Sequence, residues 1–298
     1  MPDSTLVNTS HLSSDSPVMK VLLAVIGSLI TFFITNYLRE KWKNRLRIKQ
    51  ITKSNDKDLF KFYDLYEKVF REEVRISTEQ FANWIDIDKK DSSSKPVSHY
   101  HFVCKRGSDV IGFLKAMYCW ENDLLFIAYY AIDKKDSQAR ELASITMIKH
   151  VEKMLKDKIP NCKGIVFELE DVDPSQTADI NGERKARIRL FKSAVKSRGH
   201  CAYEIECNYI QPQIKIDDRD SSTDLPLVLM YISLYQDCSI SLKLNKLEVM
   251  NIVNFIYMNI YLPYFIHSGE DATKSENHLL DLLETYHKNL SSKVSLKI

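Results

Sequence analysis

Several motifs that announce common chemistries are missing from the 298 residues. There is no P-loop, no G-x-S-x-G nucleophile elbow, no H-E-x-x-H pair and no dinucleotide-binding glycine pattern, which removes the enzyme classes built on them. Glycine itself is scarce, at 7 residues. The six cysteines, Cys104, Cys119, Cys162, Cys201, Cys207 and Cys238, form no C-x-x-C pair. His200-Cys201 with Cys207 is the nearest approach to a zinc site and lacks a ligand pair, so no metal is expected. Cysteines scattered in this way fit a reducing compartment, where they serve as small apolar side chains. A strong charge of one sign is also absent, the formal net charge being +2. That small figure hides an asymmetry: seven bases face one acid between Arg39 and Lys53, leaving the rest slightly acidic. A mildly acidic body argues against nucleic acid as a partner.

What the sequence does have is one long apolar run. Val21–Leu38 (VLLAVIGSLITFFITNYL) carries no charge over 18 residues. As a helix this spans roughly 27 Å, close to the hydrocarbon thickness of a bilayer. Tyr37 and Trp42 sit where aromatic anchors meet headgroups, and the basic cluster follows at once. A cleaved signal peptide reverses this order, with positive charge before the apolar run and small residues after it. The Lys/Arg excess on the C-terminal side predicts a single-pass anchor in the lipid bilayer of the cell membrane, with the N-terminus outside and the body cytoplasmic. The expected organisation is a disordered tail over 1–18, a transmembrane helix over 19–38 and a basic juxtamembrane segment over 39–50. A folded domain over 51–240 and a C-terminal helical extension over 241–298 complete it.

In the body the hydrophobic period changes along the chain. Asp56–Phe70 reads as a helix with Asn55 or Asp56 as cap, and Thr78–Ile85 as a second, with Asp88–Lys95 a loop. His99–Lys105 and Val110–Trp120 flank the turn Arg106-Gly107-Ser108-Asp109 and predict a hairpin. Leu124–Ile132 (LLFIAYYAI) is apolar nearly throughout, as a central strand buried on both faces should be. A helix follows over Ser137–Asp157, then a strand at Gly164–Leu169 and a helix over Glu183–Arg198 closed by Gly199. Tyr203–Ile210 and Leu225–Leu234 predict two closing strands. Leu244–Tyr261, stopped by Pro263, and His278–Leu290 predict helices docked on the body. The fold class is α+β, with a mixed, mostly antiparallel sheet, flanking helices and a βαβ crossover at its centre.

This order of elements resembles the Gcn5-related N-acetyltransferase (GNAT) superfamily over roughly Ile51 to Tyr235. Asp109-Val110-Ile111-Gly112-Phe113 looks like the end of the strand pair before that family's cofactor strand. Leu124–Ile132 with the loop and helix after it is similar to the acyl-CoA-binding unit, and Ala186–Gly199 (ARIRLFKSAVKSRG) to the second cofactor helix. The resemblance implies an acyl-CoA-dependent N-acyltransferase that uses acetyl-CoA as co-substrate and an amine as acceptor. It further implies that two parallel strands splay, so that backbone groups pair with the pantetheine arm while a helix N-terminus takes the pyrophosphate. Residues implied for this binding are Tyr130, Ala131, Ile132, Lys134, Lys135, Ser137, Gln138, Ala139 and Arg140.

Attack of an amine on a thioester needs a base for the ammonium and a proton for the leaving thiolate. Glu168 and Glu170 alternate with Phe167 and Leu169 on one strand and are the candidate bases, or else exposed partners of Arg187 or Arg189. The family's tyrosine acid is replaced by Phe191, so Tyr203, or one of Tyr129, Tyr130 and Tyr209, is the candidate acid. The loop also differs from the family pattern: Gln138-Ala139-Arg140-Glu141-Leu142-Ala143 puts Glu141 where glycine normally lets phosphate approach. These departures motivate a second expectation, a catalytically inactive GNAT-like binding or sensing module at the membrane. A third, that the apolar helix itself acts by assembling in the bilayer, rests only on Ser28, Thr31 and Thr35.

Overall fold

The computed structural model describes residues 21, 25–26, 28–35, 45–70, 75–90, 96–133, 137–170, 177–196, 198–212, 225–234, 244–267, 269, 271–291, 293–294 and 296–297. The tail expected over 1–18, the first half of the basic segment, and Lys134 and Lys135 lie outside them. The chain divides into two units, residues 1–45 and 46–298. In the first unit, residues 21, 25–26 and 28–35 are helical. Leu29, Ile30, Phe32, Phe33 and Ile34 are each more than half exposed there, so these helical residues present apolar side chains outward.

The second unit is built on one sheet. Its strands are β1 (Leu46–Ile51), β2 (Val97–Arg106), β3 (Asp109–Cys119), β4 (Leu124–Ile132), β5 (Gly164–Glu170), β6 (Ala202–Ile205), β7 (Ile210–Gln211), β8 (Leu225–Ser233), β9 (Leu244–Asn245), β10 (Lys293–Val294) and β11 (Leu296–Lys297). The main sheet runs β1-β2-β3-β4-β5-β8-β6-β11, with β7 on β8, while β9 and β10 pair with each other in a separate two-stranded sheet. Within it only β4 and β5 pair in parallel. Helices α1 (Lys57–Val69), α2 (Thr78–Lys90), α5 (Lys246–Ile256), α6 (Leu262–His267) and α7 (Ala272–Asn289) contribute to the core on one face. Helices α3 (Ser137–Lys158) and α4 (Ala178–Lys196) contribute to the core on the other. The mixed sheet between two helical layers is therefore the α+β class expected.

Local rules account for most elements. The Asp56 carboxylate accepts from the Asp58 N–H and caps α1. Gly199 takes φ +80° after α4, a left-handed position that costs a residue with Cβ energy and glycine none. Gly112 answers to close approach instead: a Cβ there would stand 3.0 Å from the Ala131 carbonyl oxygen.

Five expectations need correction. Leu46–Ile51 is a strand, not the end of a juxtamembrane segment, and pairs antiparallel with β2. Its alternation of Leu46, Ile48 and Gln50 with Arg47 and Lys49 carries the period of a strand within the basic run. Helix α2 continues to Lys90, because polar residues without glycine or proline do not stop a helix. Pro263 does not end the long helix that begins at Lys246. A π turn over Tyr257–Tyr261 intervenes, with the Leu262 N–H bonded back to the Tyr257 carbonyl. The shifted register fits a proline that has no N–H to offer and whose ring would crowd the carbonyl four residues earlier. The chain also adds short strands after the last helix, β11 lying antiparallel to β6. Finally, Cys104, Cys119, Cys162 and Cys207 are free and buried, as expected, but Cys201 is disulfide-bonded.

Lys246–His267 is long and apolar enough to cross a membrane, alone among the described residues. Half of its apolar window is buried in the body, and Val249, Val253 and Ile256 are fully buried. It is a core helix.

Candidate active site

Strand β4 departs from β5 midway along its length. The parallel ladder runs from Leu124 opposite Gly164 to Ile127 opposite Phe167 and stops there. Lys115 of β3 faces Tyr129 while the next residue, Ala116, faces Ile127, so Ala128 is an extra residue in β4. Such a bulge bends its strand and sharpens the local twist. Beyond it Tyr130, Ala131 and Ile132 stay on β3, opposite Leu114, Phe113 and Gly112. Strand β5 meanwhile follows β8 through Glu168, Leu169 and Glu170. A wedge opens between two strands that began as neighbours.

Glu168 is the first residue of β5 past the last paired position. Its carboxylate is held by tyrosines: Tyr209 donates to Oε1, and Tyr261 donates to Oε2 at 2.8 Å. Gln211 Nε2 in turn donates to the Tyr261 oxygen at 2.8 Å. Burial raises the Glu168 carboxyl to about 7 from its ordinary 4.5, and the two tyrosine hydrogen bonds oppose this without overcoming it. Burial, and then the same carboxylate, push the hydroxyls of Tyr209 and Tyr261 well above the usual tyrosine range, so both remain proton donors at neutral pH.

A partly open cavity lies beside this carboxylate, with about 30 Å³ of room for the centres of water-sized molecules. Its walls come from β3 and β4 (Met117, Phe126, Ala128, Tyr129), from the chain before α2 (Ile76) and from the C-terminal helix (Ile260, Tyr261, Tyr264). The π turn is what aims Tyr261: Tyr257 donates to the Ile210 carbonyl at 2.6 Å, and one turn on Tyr261 reaches Glu168. Glu168 is also the only carboxylate among the described residues that line the cavity.

The other expected residues are distributed less favourably. Glu170 shares a strand with Glu168 but not a role. It pairs with Arg184 at 3.5 Å and Arg187 at 3.3 Å on α4, a structural ion pair. Tyr203 is buried on β6, opposite Tyr231 of β8, two strands away from the wedge, and does not line the cavity. Ser137, Gln138, Ala139 and Arg140 form the first turn of α3, as the sequence predicts, while Glu141 is exposed. On the α3/α4 face the Phe191 ring bridges the wedge, 4.0 Å from the Phe167 ring and 5.9 Å from that of Tyr130.

Tyr261, Tyr264 and Gln211 are functional candidates that sequence reasoning missed. Tyr257, Tyr261 and Tyr264 are spaced by four and three, the signature of one helix face. That spacing was available, but an aromatic stripe at this period reads first as packing.

Neither a protein-family model nor a curated protein sequence matches the chain. Solved structures do. A GNAT-family acetyltransferase of Bacteroides thetaiotaomicron is 17% identical, with 72% of this chain and 98% of that one covered and a TM-score of 0.46. The ribosomal-protein-S18-alanine N-acetyltransferase of Escherichia coli is 15% identical, covering 64% and 96% with a TM-score of 0.39. The spermidine N-acetyltransferase of Vibrio cholerae is 13% identical, covering 63% and 93% with a TM-score of 0.40. At such identities and scores similarity says nothing of activity, and the fold rests on the strand order and pairing given above.

Proposed function

We propose that this chain is a membrane-anchored N-acyltransferase that moves an acyl group, acetyl in the first instance, from acyl-CoA to an amine. The observation that carries this reading is the divergence of parallel strands β4 and β5 with Glu168 at its root. The ladder between β4 and β5 ends at Ile127, and the edge of β4 beyond it fits the amides of a pantetheine arm. The first turn of α3 supplies N–H groups suited to a pyrophosphate.

In the reaction Glu168, ionised, takes a proton from the substrate ammonium, directly or through a water in the cavity. The neutral amine attacks the thioester carbonyl carbon, a C–N bond forms, and the C–S bond breaks as the tetrahedral intermediate collapses. The proton left on nitrogen in the tetrahedral intermediate passes through cavity water to the departing sulfur, which leaves as the free thiol, and Glu168 returns the first proton to solvent. Tyr209 and Tyr261 keep the Glu168 carboxylate oriented throughout. A base with a pKa of about 7 suits both the uptake and the return of a proton at neutral pH.

The apolar, exposed side chains of the helical residues up to Thr35 support the anchor. The lysine and arginine excess after them favours a cytoplasmic body. The Cys201 disulfide favours the opposite side, because such bonds persist in oxidising compartments. Protease protection of the body in intact cells decides between the two.

Phe191 and Glu141 favour a second reading, a binding module without turnover. Calorimetric titration of acetyl-CoA into the full chain in nanodiscs, with Glu141→Gly alongside, separates the readings. Micromolar binding by the unaltered chain, followed by amine-dependent release of thiol, supports the transferase. Binding gained only in Glu141→Gly means a scaffold that has given up its co-substrate.

A further inference from the structure

The cavity beside Glu168 has a definite chemical character. Its lining offers one carboxylate, one side-chain amide and the hydroxyls of Tyr129, Tyr261 and Tyr264, and is otherwise apolar. Both carboxylate oxygens already accept a tyrosine hydrogen bond, yet a carboxylate has about four acceptor sites and can take another donor. The free volume, about 30 Å³ for centres of water-sized molecules, suits a head of one or two heavy atoms. Around that head stand aromatic rings, whose faces attract a cation, and the aliphatic walls Ile76, Met117 and Ile260.

We infer that this cavity receives the ammonium head of a slender, apolar primary monoamine, with the C-terminal helix as the wall that selects it. This rests on the transferase reading of the same site and names its acceptor class. One buried carboxylate matches one positive charge. A second ammonium along the stem would lose its water against Ile76, Met117 or Ile260, and among the described lining residues no second carboxylate receives it, a heavy penalty. A peptide amine brings an amide group immediately behind the nitrogen, and Gln211 is already engaged with Tyr261. An alkyl stem needs no such partners. The selecting residues Ile260, Tyr261 and Tyr264 lie on the C-terminal helix, beyond Ile51–Tyr235, the stretch whose order of elements resembles the GNAT superfamily.

The test uses the full chain in nanodiscs, titrated calorimetrically with n-butylamine, 1,4-diaminobutane and glycinamide, and with acetyl-CoA in parallel. Glu168→Gln and Ala128→Leu, which narrows the cavity without touching the carboxylate, are titrated in the same nanodiscs, with melting curves to establish folding. The expected result is that n-butylamine binds at least about tenfold more tightly than either competitor and loses about tenfold or more in both variants. Equal or tighter binding of the diamine or of glycinamide overturns the inference. Binding of n-butylamine that Glu168→Gln leaves unchanged overturns it as well. Acetyl-CoA binding with no amine binding sinks this inference and leaves the transferase standing. Amine binding with the expected selectivity but no acetyl-CoA binding sinks the transferase and leaves the monoamine site standing.

Discussion

Asp58 and Glu168 are both drawn out of water, and the molecule compensates them in opposite ways. Asp58, in the first turn of α1, is 1% exposed. It meets two ammonium groups, Lys105 at 2.7 Å and Lys49 at 2.8 Å. Burial opposes its ionisation, but the two lysines outweigh burial and hold its carboxyl below the ordinary range. Glu168 meets two neutral hydroxyls, burial prevails, and its carboxyl rises to about 7. Burial raises both carboxyls, and the charge of the partner acts against it: a cation makes a buried carboxylate a permanent tie between β1, α1 and β2, whereas neutral donors leave one that can gain and lose a proton near neutrality.

The largest effect that sharpens this comparison is on catalysis. Glu168→Gln is expected to lower the rate of acyl transfer by about 10²–10⁴-fold with acetyl-CoA affinity unchanged, measured by thiol release. A loss of less than tenfold breaks the assignment. Next comes the structural partner. Asp58→Ala strands Lys105, which is itself 17% exposed, and is expected to cost about 3–5 kcal/mol in urea unfolding without altering the pH dependence of the reaction.

The third effect lies in the pH dependence of stability. Because the folded carboxyl of Glu168 titrates above its ordinary 4.5, its favourable contribution is complete below about 4.5 and is lost as pH rises through about 7. Glutamine has no such titration. Relative to the unaltered chain, Glu168→Gln should therefore gain stability between pH 4.5 and 8, by roughly 3 kcal/mol from the size of the shift. Asp58 works the other way, its contribution being present above its unfolded pKa and lost as pH falls through the depressed folded value. Parallel stability curves for the two proteins across that window would remove the contrast. The smallest effect is that of Tyr261→Phe, which deletes one donor worth about 1.5–3 kcal/mol to a charged acceptor. It should move the ionisation that governs the rate upward by about one pH unit, read from the pH profile of kcat/KM.

Much of this arrangement was legible in the chain. The hairpin around Gly107, the apolar strand Leu124–Ile132, the long helix after it and the stop at Gly199 all depend on neighbours within a few positions. So did the placement of Glu168 beside the wedge, because the βαβ order fixes where parallel strands lie. What was not legible is the difference between Glu168 and Glu170. Both alternate to the same side of one strand, and the sequence offers them equally as bases. One ends among tyrosines and the other on Arg184 and Arg187. Likewise Tyr203 and Tyr209 lie close in sequence, yet Tyr203 sits on β6, separated from β5 by β8, while Tyr209 reaches Glu168.

By itself, then, the sequence determined most of the central elements, their period, several caps and the α+β class, because each of these is set by interactions over a few residues. It also determined that an uncharged run of 18 residues precedes a basic cluster. Tertiary structure alone decided which carboxylate is poised to titrate. Tyr261 stands 93 residues from Glu168 along the chain and reaches it only through a π turn docked on the sheet. Desolvation is a sum over everything that surrounds a group, and no local pattern of residues contains that sum.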